Sequence, residues 1–234
     1  MRRWSPPRVV TGVVLAAWAS VFWVLLLSGR SFLYVSSRTF WVIPLGAIAL
    51  TAAAAGRIAT ARTSTDERLD RRRAWTAGLI VLPAVAVLVL PPTALGSFAA
   101  ARRSTTAGGF VVASEEQIAQ GPLELVDVAA ASWSRDAMRA LARRAGSPVD
   151  FVGFVTRRTG MPADEFVLTR FIVSCCVADA LSVQVRVVGV PPGRFREDAW
   201  VRVRGAFYPV GREMLVDASE VTPVPRPEHP YLNP

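Results

Sequence analysis

Three uncharged apolar runs limit what this chain can fold into more than any other feature. VVTGVVLAAWASVFWVLLLSG stands between Arg8 and Arg30, and TFWVIPLGAIALTAAAAG between Arg38 and Arg57. A third extends from Ala74 through Leu90 to Ala101. A helix rising ~1.5 Å per residue needs about 20 such residues to cross ~30 Å of hydrocarbon. Helices on the core of a small soluble protein keep a polar face, and these runs have none. The reading is a transmembrane region over residues 1–103, with spans at about 9–28, 39–56 and 74–95. Pro83 lies inside the third span. Pro91-Pro92 is expected to end it, because proline lacks a donor and clashes with the preceding turn. A cleaved signal peptide over residues 1–28 is the competing reading. The run is long for that purpose, and Ser28-Gly29-Arg30-Ser31 offers no small-x-small cleavage site.

Charge sets the expected orientation. The net +9 is carried by Arg alone, with no Lys in the chain. Residues 1–109 hold 13 Arg against 3 acids, and residues 110–234 hold 14 against 15. The N-terminus (Arg2, Arg3, Arg8) and the loop with Arg57, Arg62, Arg68 and Arg71–Arg73 share one side of the membrane and total nine Arg. Arg30, Arg38, Arg102 and Arg103 lie on the other. Arginine-rich flanks stay in the cytoplasm. The C-terminal domain is therefore expected outside the cytoplasm and the N-terminus inside. Trp4, Phe32, Tyr34, Phe40, Trp41 and Trp75 fall near the span ends, where aromatic rings suit the headgroup layer. A nucleic-acid module would place its excess charge on the folded domain. Here that domain is electrically balanced, so nucleic acid is not an expected partner, whereas the lipid bilayer is. The spans carry no acid, His or Arg, which argues against a transport path formed by these helices alone.

Residues 104–121 are small and polar and read as a linker. Beyond it, residues 122–234 read as a mainly-β domain with one helix. That helix covers 132–145, with Trp133, Ala137, Leu141 and Ala145 on one stripe and Ser132 or Ser134 as the cap. Then the period changes to two. Val149–Arg157, Glu165–Val177, Leu181–Val190, Ala199–Tyr208 and Met214–Val224 read as five strands. Val183, Val185 and Val187 alternate with Gln184 and Arg186, and Val201 and Val203 with Arg202 and Arg204, giving each strand a buried and a wet face. A small closed barrel of the OB type suits this count, because closure removes exposed edges. An open α+β sheet is the alternative. The tail from Pro223 is expected to lie extended against the domain without forming an element.

The chain's two cysteines, Cys175 and Cys176, are adjacent, and Asp179 follows. Successive side chains of a strand point to opposite faces. The two thiols can therefore act together only where the strand ends or bulges, near Val177-Ala-Asp-Ala. Three readings stay open: a vicinal disulfide, a soft transition-metal site using Cys175, Cys176, Asp179 and the only histidine, His229, or a plain structural pair. The spacing fits no standard zinc motif. No nucleophile elbow, phosphate loop or metalloprotease histidine pair occurs, so no enzyme is predicted.

FVGFVTR, RFIVSCCVADA, AWVRVRGAF and the closing PRPEHPYLNP, with Pro-Pro-x-x-Leu-Gly at Pro91–Gly96, resemble the YcgQ-like family of bacterial membrane proteins. The resemblance covers most of the chain, most strongly from Val149. It implies an accessory subunit of a two-component permease whose multi-spanning partner subunit supplies the path, with a metal or metalloid as one substrate class. It assigns no catalytic residue. Arg170, Ser174, Cys175, Cys176, Asp179 and Trp200 are its pattern positions here. The chain departs from the pattern at Leu181-Ser182, where a proline is expected, and before Val149, where Ala-Gly-Ser-Pro replaces a Tyr-x-Gly-Lys-like turn. A membrane-anchored metal- or redox-sensing module using the cysteines is the alternative function.

Overall fold

A computed structural model describes residues 3–63, 70–90, 93–103, 115–131, 134–211 and 213–233. Pro91-Pro92, most of the expected linker (104–114), Ser132 and Trp133 lie outside them. The chain divides into two compact units, Met1–Thr93 and Ala94–Pro234.

The first unit is built from α1 (Pro6–Leu27), α2 (Val42–Ala59) and α3 (Arg71–Val89), each long and apolar enough to cross a membrane. α1 begins on Pro6-Pro7, where a missing N–H costs nothing because first-turn donors are unpaired anyway. A short 3₁₀ turn, Arg30–Leu33, leaves the end of α1 after Gly29, whose φ of 67° suits glycine. α1 and α2 approach closely because both offer small residues. A Cβ on Gly12 would sit 2.7 Å from Ile58, and one on Gly46 2.6 Å from Phe22. Two short strands, β1 (Arg3–Trp4) and β2 (Arg62–Thr63), pair antiparallel and tie the start of α1 to the end of α2. α3 begins at Arg71, so Arg71–Arg73 form its first turn, and Leu90 is already extended.

The second unit is a five-stranded barrel with one further strand. β3 (Pro148–Thr156), β4 (Phe166–Ile172), β5 (Leu181–Val188), β6 (Trp200–Val210) and β7 (Glu213–Pro223) close in the order β3-β4-β5-β7-β6-β3. All neighbours are antiparallel except β5 and β7. This is the OB arrangement, and it leaves the barrel no free edge. Val155, Leu168, Val185, Val187, Val201, Val203, Phe207 and Val216 fill the interior. Fully burying a side chain of this size contributes roughly 1.5–3 kcal/mol.

Three helices, not one, pack on this core: α5 (Glu115–Gln120), α6 (Leu125–Ala131) and α7 (Arg135–Ala142). α5 takes the last part of the stretch read as a linker. α7 is the expected amphipathic helix, with the Ser134 hydroxyl accepting the N–H of Ala137 at 3.2 Å. α6 reads LVDVAAA and buries six of its seven residues, so no period marks it in the sequence. Arg144 fastens α5 by donating to the carbonyls of Ile118 (2.7 Å), Ala119 (3.2 Å) and Gly121 (2.9 Å), the free acceptors of a helix end.

The tail also forms an element, contrary to expectation. β8 (Tyr231–Leu232) pairs parallel with Phe171–Ile172. It finds room because β3 pairs with β4 only as far as Thr169 and then diverges. One edge of β4 is thus shared between a strand before it and a strand some sixty residues after it.

Candidate functional site

β4 stops at Ile172, five residues short of the expected Val177, and Asp179 is the physical reason. Its Oδ1 accepts the N–H of Ser174 at 3.0 Å, and its Oδ2 those of Cys175 at 2.8 Å and Cys176 at 3.4 Å. Donors held by a carboxylate cannot continue a ladder. The chain folds instead into a 3₁₀ turn, Val177–Asp179, whose Asp179 N–H donates to the Cys176 carbonyl at 3.0 Å. Arg103 secures the turn from outside by donating to the carbonyls of Val177 (2.6 Å) and Ala180 (3.3 Å).

The break places the thiols together. Cys175 Sγ lies 3.7 Å from Cys176 Sγ. No disulfide joins them in this structure, and Cys175 is exposed and Cys176 half-buried. A hydrogen bond to the Asp179 carboxylate, then one to Cys176, push the Cys175 thiol up to about 11. Burial pushes the Asp179 carboxyl up, but the hydrogen bonds from Cys175, Ser174 and Cys176 outweigh it and hold Asp179 below the ordinary carboxylate range.

The remaining pattern positions serve the seam beside this turn. Arg170 stands where β3 and β8 part on the edge of β4. Its guanidinium donates to the carbonyls of Val152 (3.2 Å), His229 (3.0 Å) and Pro230 (3.2 Å) and lies 5.6 Å from the Trp200 ring. Burial lowers its pKa, yet a guanidinium stays charged. Trp200 packs on Phe154, which stacks on Phe171. These rings form a second core on the outer face of the barrel with Val173, Ala180, Tyr231 and Ala100. Ser182, opposite Phe171, is buried there, with its hydroxyl unpartnered among the described residues.

The structure therefore brings Ser174, Cys175, Cys176 and Asp179 into one turn. His229 is positioned by Arg170 ahead of β8, whereas the cysteines follow the far end of β4. Among the described residues, no three His, Cys, Asp or Glu side chains gather to hold a metal ion.

Two positioning residues escaped the sequence reading. Arg103 counted there only as a flanking charge. Asp198, with φ 63°, accepts from the Ser97 backbone N–H at 2.6 Å and the Ser97 hydroxyl at 2.9 Å. It thereby docks α4 (Ser97–Ala100) on the barrel. A signal for Asp198 was available in the Glu-Asp turn before Trp200; none was for Arg103. On the outer face Arg186 pairs with Glu165 (2.6 Å) and Glu213 (3.3 Å), and Arg204 with Asp150 (3.1 Å) and Glu220 (3.2 Å). These arginines answer acids of neighbouring strands.

A comparison with curated proteins finds no match. The family description "DUF1980 C-terminal domain" matches residues 109–234, more than half of the chain, including the barrel, the cysteine turn and β8. A match of that extent, over a domain whose pattern residues occupy one turn and one seam, means that the chain belongs to the DUF1980 C-terminal domain family.

Proposed function

We propose that this protein is the membrane-anchored accessory subunit of a multi-spanning permease, with no catalytic activity of its own. Its N-terminus is cytoplasmic and its barrel extracytoplasmic. One observation carries the reading. The helices have no ionisable side chain between Val9 and Leu27, Val42 and Gly56, or Ala74 and Val89, and they leave large apolar side chains open. α3 buries only Ala84 while Leu79, Leu82 and Val85 stay exposed. Such a unit offers lipid and neighbouring helices a surface to pack on, but no charged groups to conduct an ion. The YcgQ-like resemblance supports the same role, with a metal or metalloid as the class of cargo.

Purification of the tagged protein from its native membranes in mild detergent is expected to bring a multi-spanning partner with it. Recovery of the chain alone at full yield counts against the accessory role. Orientation has a separate test. An epitope inserted at Gly193, in an exposed turn with φ 71°, is expected to bind antibody on spheroplasts before permeabilisation. Binding only after lysis would reverse the assigned topology.

The exposed Cys175 beside Cys176 favours a second reading, an extracytoplasmic metal- or redox-sensing module. Intact mass measurement separates the two. A gain of two hydrogens on reduction marks a disulfide, and a bound metal lost in Cys175→Ser marks a ligand site. Neither change leaves the pair structural.

A further inference from the structure

We propose that the cavity between the adjoining ends of α1, α2 and α3 holds the phosphate headgroup of an anionic glycerophospholipid. The cavity measures about 820 Å³, within the range of sites that enclose small molecules. Among the described residues four guanidinium groups line it, from Arg8, Arg57, Arg72 and Arg73, with the carboxylate of Asp70. Among the described residues Arg57, Arg72 and Arg73 make no ion pair.

The backbone adds to this field. α1 and α3 both begin here, and neither has a side-chain cap on its first turn. Two positive helix ends therefore face the same space. α2 ends here with the opposite polarity, but Arg8 answers it by donating to the Thr60 carbonyl at 2.9 Å. The wall is not polar throughout. Val10, Val14 and Ile80 continue it along the helices.

A free anion would use the guanidinium groups and leave that apolar wall bare. A phospholipid uses both. Orientation rules account for arginines on this side of the membrane, but loop arginines satisfy them without converging on one cavity. Basic pockets between membrane helices bind anionic headgroups in this way.

Native mass spectrometry of the full chain in a neutral detergent tests the proposal. One molecule of phosphatidylglycerol is expected to stay bound where phosphatidylcholine does not. At about 1 kcal/mol per arginine, Arg57→Gln with Arg72→Gln should weaken retention roughly 30-fold. Arg57→Lys with Arg72→Lys should keep it within a few-fold, because the phosphate still meets two point charges. Arg30→Gln with Arg38→Gln, at the other helix ends, should change nothing. Helix content by circular dichroism shows that each variant is folded. If the glutamine pair misfolds, the lysine pair and the comparison of the two lipids still decide. Equal retention of the two lipids, or full retention by the folded glutamine variant, overturns the proposal. So does displacement of phosphatidylglycerol by millimolar inorganic phosphate, which would mark a free-anion site.

Discussion

Replacing Asp179 by asparagine is expected to speed alkylation of Cys175 at pH 8 by about tenfold. The thiolate is the nucleophile, so the rate follows its fraction. With the thiol held at about 11, that fraction at pH 8 is on the order of one in a thousand. A cysteine at its ordinary value of ~8.5 is about one quarter thiolate at the same pH. The ratio of fractions exceeds a hundredfold, but the lower intrinsic nucleophilicity of a less basic thiolate takes back roughly a factor of ten, and the hydrogen bond to Cys176 stays in place. Asparagine removes the negative charge that opposes ionisation and keeps one oxygen for the turn's N–H groups. Site-resolved mass spectrometry after timed iodoacetamide treatment reads the result. An unchanged rate would mean that the carboxylate does not govern the thiol.

The same turn has two pH limits of opposite sign. Asp179 is depressed in the folded chain, so its contribution to stability is present above the unfolded carboxylate value and fades as pH falls through the folded one. Cys175 is raised, so its contribution is complete below the unfolded thiol value and fades as pH climbs toward about 11. The Asp179→Asn variant should lose the acid-side dependence contributed by this residue.

The second large effect belongs to Arg170. Arg170→Ala removes the donor to three backbone carbonyls, one on β3 and two just ahead of β8, at a half-buried site. Hydrogen bonds from a charged group contribute about 1.5–3 kcal/mol each when isolated. Because these three share one group, about 2–4 kcal/mol is the expected loss of local stability. Hydrogen exchange on the full chain should show it first at the Val173 N–H, which donates to the Leu232 carbonyl at 3.0 Å. Arg170→Lys should recover only part, since one ammonium cannot span the fork. Native protection at Val173 in the alanine variant would show that β8 holds without its arginine.

Much of this was readable from the chain. The five strands follow from alternation, because Val183, Val185 and Val187 have no other way to reach one core. The three spans follow from the lack of charge. What escaped depends on partners distant in sequence. The end of β4 looked five residues later because Ile172, Val173 and Val177 are all β-formers, and only the Asp179 carboxylate stops the ladder. α6 is buried on nearly every side and shows no period. β8 has two residues, and its pairing depends on a gap left by β3 that no local pattern announces. Arg170 and Trp200 stood out through the family resemblance, yet their task, joining three strands at a seam, is a property of the closed barrel.

The shared edge of β4 has a consequence for biosynthesis. At 5–20 residues per second, the sixty residues that separate Arg170 from Pro230 take roughly 3–12 s to translate. Through that interval the last hydrogen-bonding positions on this edge of β4 have no neighbour, in a nascent chain that emerges beside others like itself. An unpaired strand edge recruits foreign strands. Only Phe171, Ile172 and Val173 are exposed in this way, because the Asp179 turn already occupies the donors that follow. The turn beside the cysteines thus shortens the adhesive surface of a half-made barrel to three residues, until its own later segment arrives to cover it.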